Sequence, residues 1–364
     1  MEVPMDPATL IPTPDTIPVG WGWFHILLTL TFYLHLLAMN VMLGTVIIAF
    51  IQSISSNDEQ YLPVNRQIAK KIPYAIALAV NLGVAPLLFA QVLFGQFIYV
   101  SSLLMAVFWL SIVALLIIAY YSAYIFCYRY QYMQAGRTVT TGLTMLSLLA
   151  IGFFLSNNMT MMLHPESWPR YFDHPGGLLL NLSDPTLIPR YLHMVVSAVA
   201  VGGLAIALWY TYQQRKGKKD CARWIRYGCN WFGGATIANY GLGFWFFGVL
   251  PHGLIVPSTF IGGLFSLFLI LAVITGALSI INAFQYQPLK AAWFTLGTIL
   301  LMVFMRDLLR VAYLKPWFSF SDLQVESSWS PFLIFLISFI GGLALVAWML
   351  KTTYIGLDDK EVQS

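Results

Sequence analysis

Nine apolar stretches, each long enough to cross a bilayer, leave this chain few folds to choose from. A span needs about 20 apolar residues. Such stretches run over residues 24–51, 73–99, 103–127, 140–162, 190–213, 227–250, 257–283, 290–314 and 331–350. In lipid the backbone amides must be satisfied internally, which at this length selects helices. The expected fold class is therefore all-α, a polytopic membrane bundle of about nine transmembrane helices. Hydrophobic residues make up 59% of the 364 positions and charged residues 9%, which excludes an ordinary soluble globule. The expected division is 1–23 as an outer segment, 24–351 as one transmembrane bundle and 352–364 as a cytoplasmic tail.

Basic residues set the orientation. With the N-terminus outside, the cytoplasmic segments hold Arg66, Lys70, Lys71, Arg129, Arg137, Arg215, Lys216, Lys218, Lys219, Arg223, Arg226, Lys290, Lys351 and Lys360, which is 14 of the 19. Arg170, Arg190, Arg306, Arg310 and Lys315 fall near the outer ends. The positive-inside rule places the N-terminus outside and the C-terminus in the cytoplasm. The net charge of +4 reflects this rule and gives no reason to expect nucleic acid. Residues 1–20 carry three acids and no Lys or Arg, unlike a cleaved signal peptide. Cys127, Cys221 and Cys229 all fall at cytoplasmic ends, where thiols stay reduced.

His35 and His193 lie inside helices that contain almost nothing else ionisable. A titratable ring in lipid is costly and usually has a partner, either a hydrogen bond from a neighbouring helix or a metal. No Cys-x-x-Cys-His occurs, so any haem is b-type, held by side chains alone. Gly44, Gly83 and Gly95 offer close-approach points, suited to a flat macrocycle or a tight helix crossing. I, i+3 spacing pairs Asp307, the only carboxylate placed inside a span, with Arg310. Asp307 is either a proton relay or half of that ion pair.

Several segments together resemble subunit I of the cytochrome bd quinol oxidases. Tyr33-Leu34-His35 followed by Gly44 resembles that family's first-helix haem-ligand segment. Gly83-Val84-Ala85 with Gln91 and Phe94-Gly95 resembles its second-helix segment. Asp184-Pro185 followed by His193 resembles the opening of its fifth helix, and Tyr313 with Pro316-Trp317 the end of its eighth. The resemblance implies His35 as an axial ligand of a high-spin haem b and His193 as an axial ligand of a low-spin haem b. It places Arg190, one turn before His193, to meet a haem propionate; Arg306 and Arg310 are separate candidates to face propionates, with interface anchoring as the alternative for all three. Gln91 stands where the family has a glutamate, which makes Gln91 and Asp307 the candidate catalytic positions.

The chain departs from the family at defined places. The third span has no acid, 257–283 has no Met, and the quinol-binding insert is reduced to Pro251–Val256. Reduction of oxygen needs protons delivered to a buried site, and the residues that deliver them in the family are absent here.

The expected function is a b-type haem subunit in the cytoplasmic membrane of a bacterium or archaeon. It passes electrons between the quinone pool and a c-type cytochrome, together with other subunits, and the outer loops 163–189 and 315–330 form the docking face. The alternatives are a divergent oxidase that reduces oxygen and a haem-free membrane anchor. His25 is expected at the interface beside Trp21 and Trp23, with a haem-ligand role as the alternative. His164, His174 and His252 are expected in solvated outer loops, or against a partner's haem. Met159, Met161 and Met162 are expected in the core, or as sulfur ligands to the His193 haem.

Overall fold

The computed structural model describes residues 6–55, 58–130, 132, 134–173 and 175–362. Nine α-helices account for most of them: α1 Trp21–Ser53, α2 Asp58–Leu104, α3 Ala106–Arg129, α4 Gln134–Leu163, α5 Leu187–Arg215, α6 Cys221–Gly248, α7 Phe260–Phe284, α8 Pro288–Leu314 and α9 Trp329–Val362. Three short 3₁₀ turns lie outside the bundle, and there is no strand among the described residues. The all-α polytopic bundle expected from the hydropathy pattern is the architecture found.

Eight of the nine helices are long and apolar enough to cross a membrane, so this is a multi-pass membrane protein. The exception is α6, which is long enough but carries Arg223, Arg226, Asn230 and Asn239. It packs along α5, where Gly203, Ala207 and Gly228 bring the two backbones together. Several helices outrun their apolar stretch. α2 begins at Asp58 rather than at residue 73, and α9 continues to Val362 through the segment expected as a tail.

Small residues and hydroxyls join the helices, as expected where no hydrophobic effect acts between them. A Cβ on Gly44 of α1 would run into the Ala198 carbonyl of α5, and one on Gly202 of α5 would lie 2.5 Å from the Gly44 carbonyl carbon. These two helices therefore cross in backbone contact. Ser122 bonds Thr144 between α3 and α4 (2.7 Å), and Ser279 bonds Thr295 between α7 and α8 (2.7 Å). The Tyr33 hydroxyl donates to the Leu296 carbonyl (3.1 Å), tying α1 to α8. α9 stands at the rim, exposed along most of its length, and touches the bundle through Phe332, Phe335 and Phe339.

The segment before α1 folds across the end of the bundle where the N-terminus lies. Ile17 N–H donates to the Gln324 carbonyl (2.9 Å), Glu326 N–H to the Ile17 carbonyl (3.0 Å) and Ser328 N–H to the Pro18 carbonyl (2.8 Å). These bonds fasten it to the connection between α8 and α9.

Candidate functional site

His35 and His193 occupy equivalent places in two helix pairs. His35 on α1 sits over Gly83 of α2, where a Cβ would come within 2.8 Å of its ring. His193 on α5 sits over Gly243 of α6, where a Cβ would come within 3.3 Å. His35 is bonded by the Ala79 carbonyl, four residues before Gly83, and Asn239 stands four residues before Gly243 on α6. Each histidine precedes its crossing glycine, Gly44 or Gly202, by nine residues. The sequence shows no convincing repeat; the correspondence emerges only when the helices are paired.

The two rings are held differently. His35 Nδ1 lies 2.9 Å from the Ala79 carbonyl, which only accepts, so Nδ1 carries the proton and Nε2 keeps its lone pair. Nε2 makes no hydrogen bond to a described residue. This tautomer and orientation is what an axial metal ligand needs. His193 Nδ1 is buried without a hydrogen bond. Gly83 is thus the seat of the imidazole itself, and Gly44 is a helix crossing; neither leaves open space for a macrocycle.

Near His35, α8 brings in a set of charges. Asp307 is buried and accepts a hydrogen bond from the Thr29 hydroxyl of α1 (3.0 Å). Arg310 Nη2 lies 3.4 Å from it and Arg306 Nη1 3.9 Å. The i, i+3 ion pair is therefore present, with two more groups around it. His25 stays at the bundle end as expected, edge-on to Trp21, and its Nε2 reaches to 4.0 Å from Asp307.

The arginines pack against aromatic rings of the bundle. Arg306 stacks on Phe32, one turn before His35, 4.0 Å from the ring centre, and its Nη2 donates to the Met159 sulfur (3.5 Å). About a third of its side chain (34%) is accessible. Arg310 is buried with Nη1 unpaired, and the buried Tyr313 hydroxyl one turn on is unpaired too. Arg190 packs on Phe246, within electrostatic reach of Tyr313 and Asp184. Two guanidiniums, Arg306 and Arg310, thus meet the Asp307 carboxylate, and Arg310 Nη1 is left unpaired. That donor set suits an anionic group.

Other positions fall differently from expectation. Gln91 is half-buried on α2 and makes no hydrogen bond to a described residue; the structure does not join it to the Asp307 cluster. His164 is not a solvated loop residue. It ends α4, its Nδ1 donates to the Thr160 carbonyl (2.8 Å) and lies 3.3 Å from Asp184, and its ring meets Tyr313 edge-on. Asp184 in turn accepts from Thr186 N–H and its hydroxyl (2.7 Å each) in the turn just before α5. His252 is exposed as expected, and His174 lies outside the described residues. Met161 and Met162 are core residues, whereas Met159 faces Arg306. No group of three or more His, Cys, Asp or Glu side chains among the described residues is placed to hold a bare metal ion.

The fold and its buried polar interior define a class: a polytopic membrane bundle with paired histidines at two like positions. No protein-family model and no curated protein matches the sequence. Among solved structures, the chain is similar to one described as "The structure of bd oxidase from Geobacillus thermodenitrificans", with a TM-score of 0.66 at 12% identity, over 94% of this chain and 96% of that one. The chain therefore shares the fold of a bd oxidase chain, the fold that the motif resemblance implied.

Proposed function

We propose that this chain is a b-haem subunit of a membrane electron-transfer complex. It would pass electrons between the quinone pool and a c-type cytochrome on the outer face. The observation that carries the proposal is the tautomer of His35: its proton is committed to Ala79, which leaves Nε2 free. His193 sits in the equivalent place with an unpaired Nδ1. His35 and His193 would hold the haem iron, and Arg190, Arg306 and Arg310 would hold the propionates. The unpaired Arg310 Nη1 fits that task, since an anion would complete its hydrogen bonds.

A b-haem supplies one-electron chemistry whose potential depends on its ligands and surroundings. The chain's own residues do the positioning. Ala79 fixes the His35 ring, and Gly83 and Gly243 let the two rings lie against the neighbouring helix. Asp307 offsets part of the arginine charge and would take or hold a proton, with Thr29 bonded to its oxygen. In this proposal the N-terminus is outside and the loops 163–189 and 315–330 receive the partner.

The test is a dithionite-reduced minus oxidised spectrum of the purified chain beside His35→Ala and His193→Ala. A b-type α-band that falls in each variant is the expected result. Absence of any haem band in the wild-type chain would overturn the proposal and favour a membrane anchor.

A further inference from the structure

Three segments form a cap on the end of the bundle where the N-terminus lies. Asp6 caps the 3₁₀ turn Pro7–Leu10, which packs against the 3₁₀ turn Pro165–Asp173. Ile17 and Pro18 are bonded to Gln324, Glu326 and Ser328 of the connection between α8 and α9. The cap carries mostly one sign of charge. Asp6, Asp15, Glu166, Asp173, Asp322 and Glu326 are all exposed. Against them stand exposed Lys315 and Arg170, whose guanidinium donates to Ser183 and Asn181. Two large apolar side chains lie open beside these acids, Phe172 at 56% and Val325 at 51% exposure. Apolar residues within a charged rim are the anatomy of a protein–protein contact.

A second observation points to an occupant. An open cleft of about 300 Å³ lies in the cap between residues 8–14 and the α8–α9 connection, with Asp322 on its wall. Gln96 of α2 also lines it, is 6% exposed, and has its Nε2 buried with no hydrogen bond. A buried amide donor left unpaired is costly, and an oxygen brought in from outside would take it. The sign of the charge then decides between occupants. Anionic lipid and a second copy of this cap would both meet it with like charge. No three His, Cys, Asp or Glu side chains among the described residues are placed to hold a metal ion. A protein that presents Lys and Arg is the complement.

We infer that the cap docks a soluble protein through a face rich in Lys and Arg. A backbone carbonyl of that protein accepts from Gln96 Nε2, and a basic side chain beside it meets Asp322. The inference rests on the proposed electron-transfer function, which calls for a soluble redox partner, and adds the chemistry of that partner's contact face. It also brings the N-terminal segment, through Asp6 and Asp15, into a docking face otherwise made of loops. Opposite charge of this kind speeds encounter more than it tightens the complex. Salt screens it, with a Debye length of about 8 Å at physiological ionic strength.

The probe is a lysine-rich cytochrome c, with the same protein acetylated on its lysines as control. Binding to the full chain in uncharged detergent is followed by surface plasmon resonance. The probe is expected to bind at low salt, to lose about tenfold or more in affinity between about 20 and 200 mM salt, and not to bind once acetylated. A fourfold variant of exposed residues, Asp15→Asn, Asp173→Asn, Asp322→Asn and Glu326→Gln, is expected to weaken binding about tenfold or more. Gln96→Leu is expected to weaken it about tenfold. Zero-length carbodiimide cross-linking is expected to join the probe's lysines to peptides that contain residues 6–15, 166–173 or 322–326. No binding at low salt, cross-links only elsewhere, or unchanged affinity in the fourfold variant overturns the docking face. Unchanged affinity in Gln96→Leu overturns the cleft contact. None of these readings needs haem in the chain. A chain without a haem band therefore overturns the electron-transfer function, and the binding result still decides the docking face.

Discussion

Removing the charge of Asp307 isolates the energetics of the polar interior. Its side chain and that of Arg310 are 8% and 5% exposed, and their ion pair is 3.4 Å long. In so enclosed a place, breaking the pair from one side leaves an uncompensated buried charge, at a cost of about 3–5 kcal/mol. Arg306, 3.9 Å away, loses its counter-charge as well. Asp307→Leu and Arg310→Met are therefore each expected to destabilise the chain by about that amount. The double variant removes both charges and is expected to be more stable than either single one, with a coupling of up to about 3 kcal/mol. Unfolding in mixed micelles with increasing SDS, followed by tryptophan fluorescence, gives the four corners of the cycle. Additivity within about 0.5 kcal/mol would refute the argument, because the two side chains would then not share a buried pair.

Four further outcomes are expected. Gly44→Val drives a side chain into the Ala198 carbonyl and should abolish the folded chain, whereas Gly297→Ala, with nothing within 4 Å, should be neutral or gain up to about 1 kcal/mol of helix propensity; thermal scans in detergent check both. Gly83→Ala places a methyl 2.8 Å from the His35 ring and should weaken only the His35 share of the b-type spectrum, so an equal loss at His193 would contradict the two-site arrangement. Thr29→Val removes the hydroxyl from Asp307 and should cost about 0.5–1.5 kcal/mol in the same SDS titration. Half-buried Cys127 ends α3 while Cys221 and Cys229 are buried, so a membrane-impermeant maleimide should label Cys127 in inverted vesicles and not in intact cells if the N-terminus is outside.

Hydropathy made the helices legible because each apolar run had to become one. It was weaker at helix ends: the Lys70–Lys71 region of α2 reads as a loop by apolarity, yet the helix continues through it. The polar partnerships were beyond its reach. Asp307 and Arg310 stand three apart on one helix, so their pairing was visible, but Thr29 lies 278 positions away from Asp307. His164 was read as a loop residue because nothing in its neighbourhood announces Asp184. Gln91 stood out by its place in a motif, and the structure gives it no partner among the described residues. Gln96, five residues on, carried no such signal; only the fold brings it beside Ile11, Trp317 and Asp322.

The crossing of Gly44 with Gly202 has an electrical consequence. α1 and α5 run in the same direction and touch at these glycines, and each histidine lies nine residues, about 13–14 Å of helix, before its own. His35 and His193 therefore stand at about the same depth in the membrane. Moving one elementary charge through the full membrane potential costs about 2.3 kcal/mol per 100 mV. An electron that passes between groups held at these two histidines travels in the membrane plane and does almost no work against that potential. Its transfer would run at the same driving force in an energised membrane as in a de-energised one.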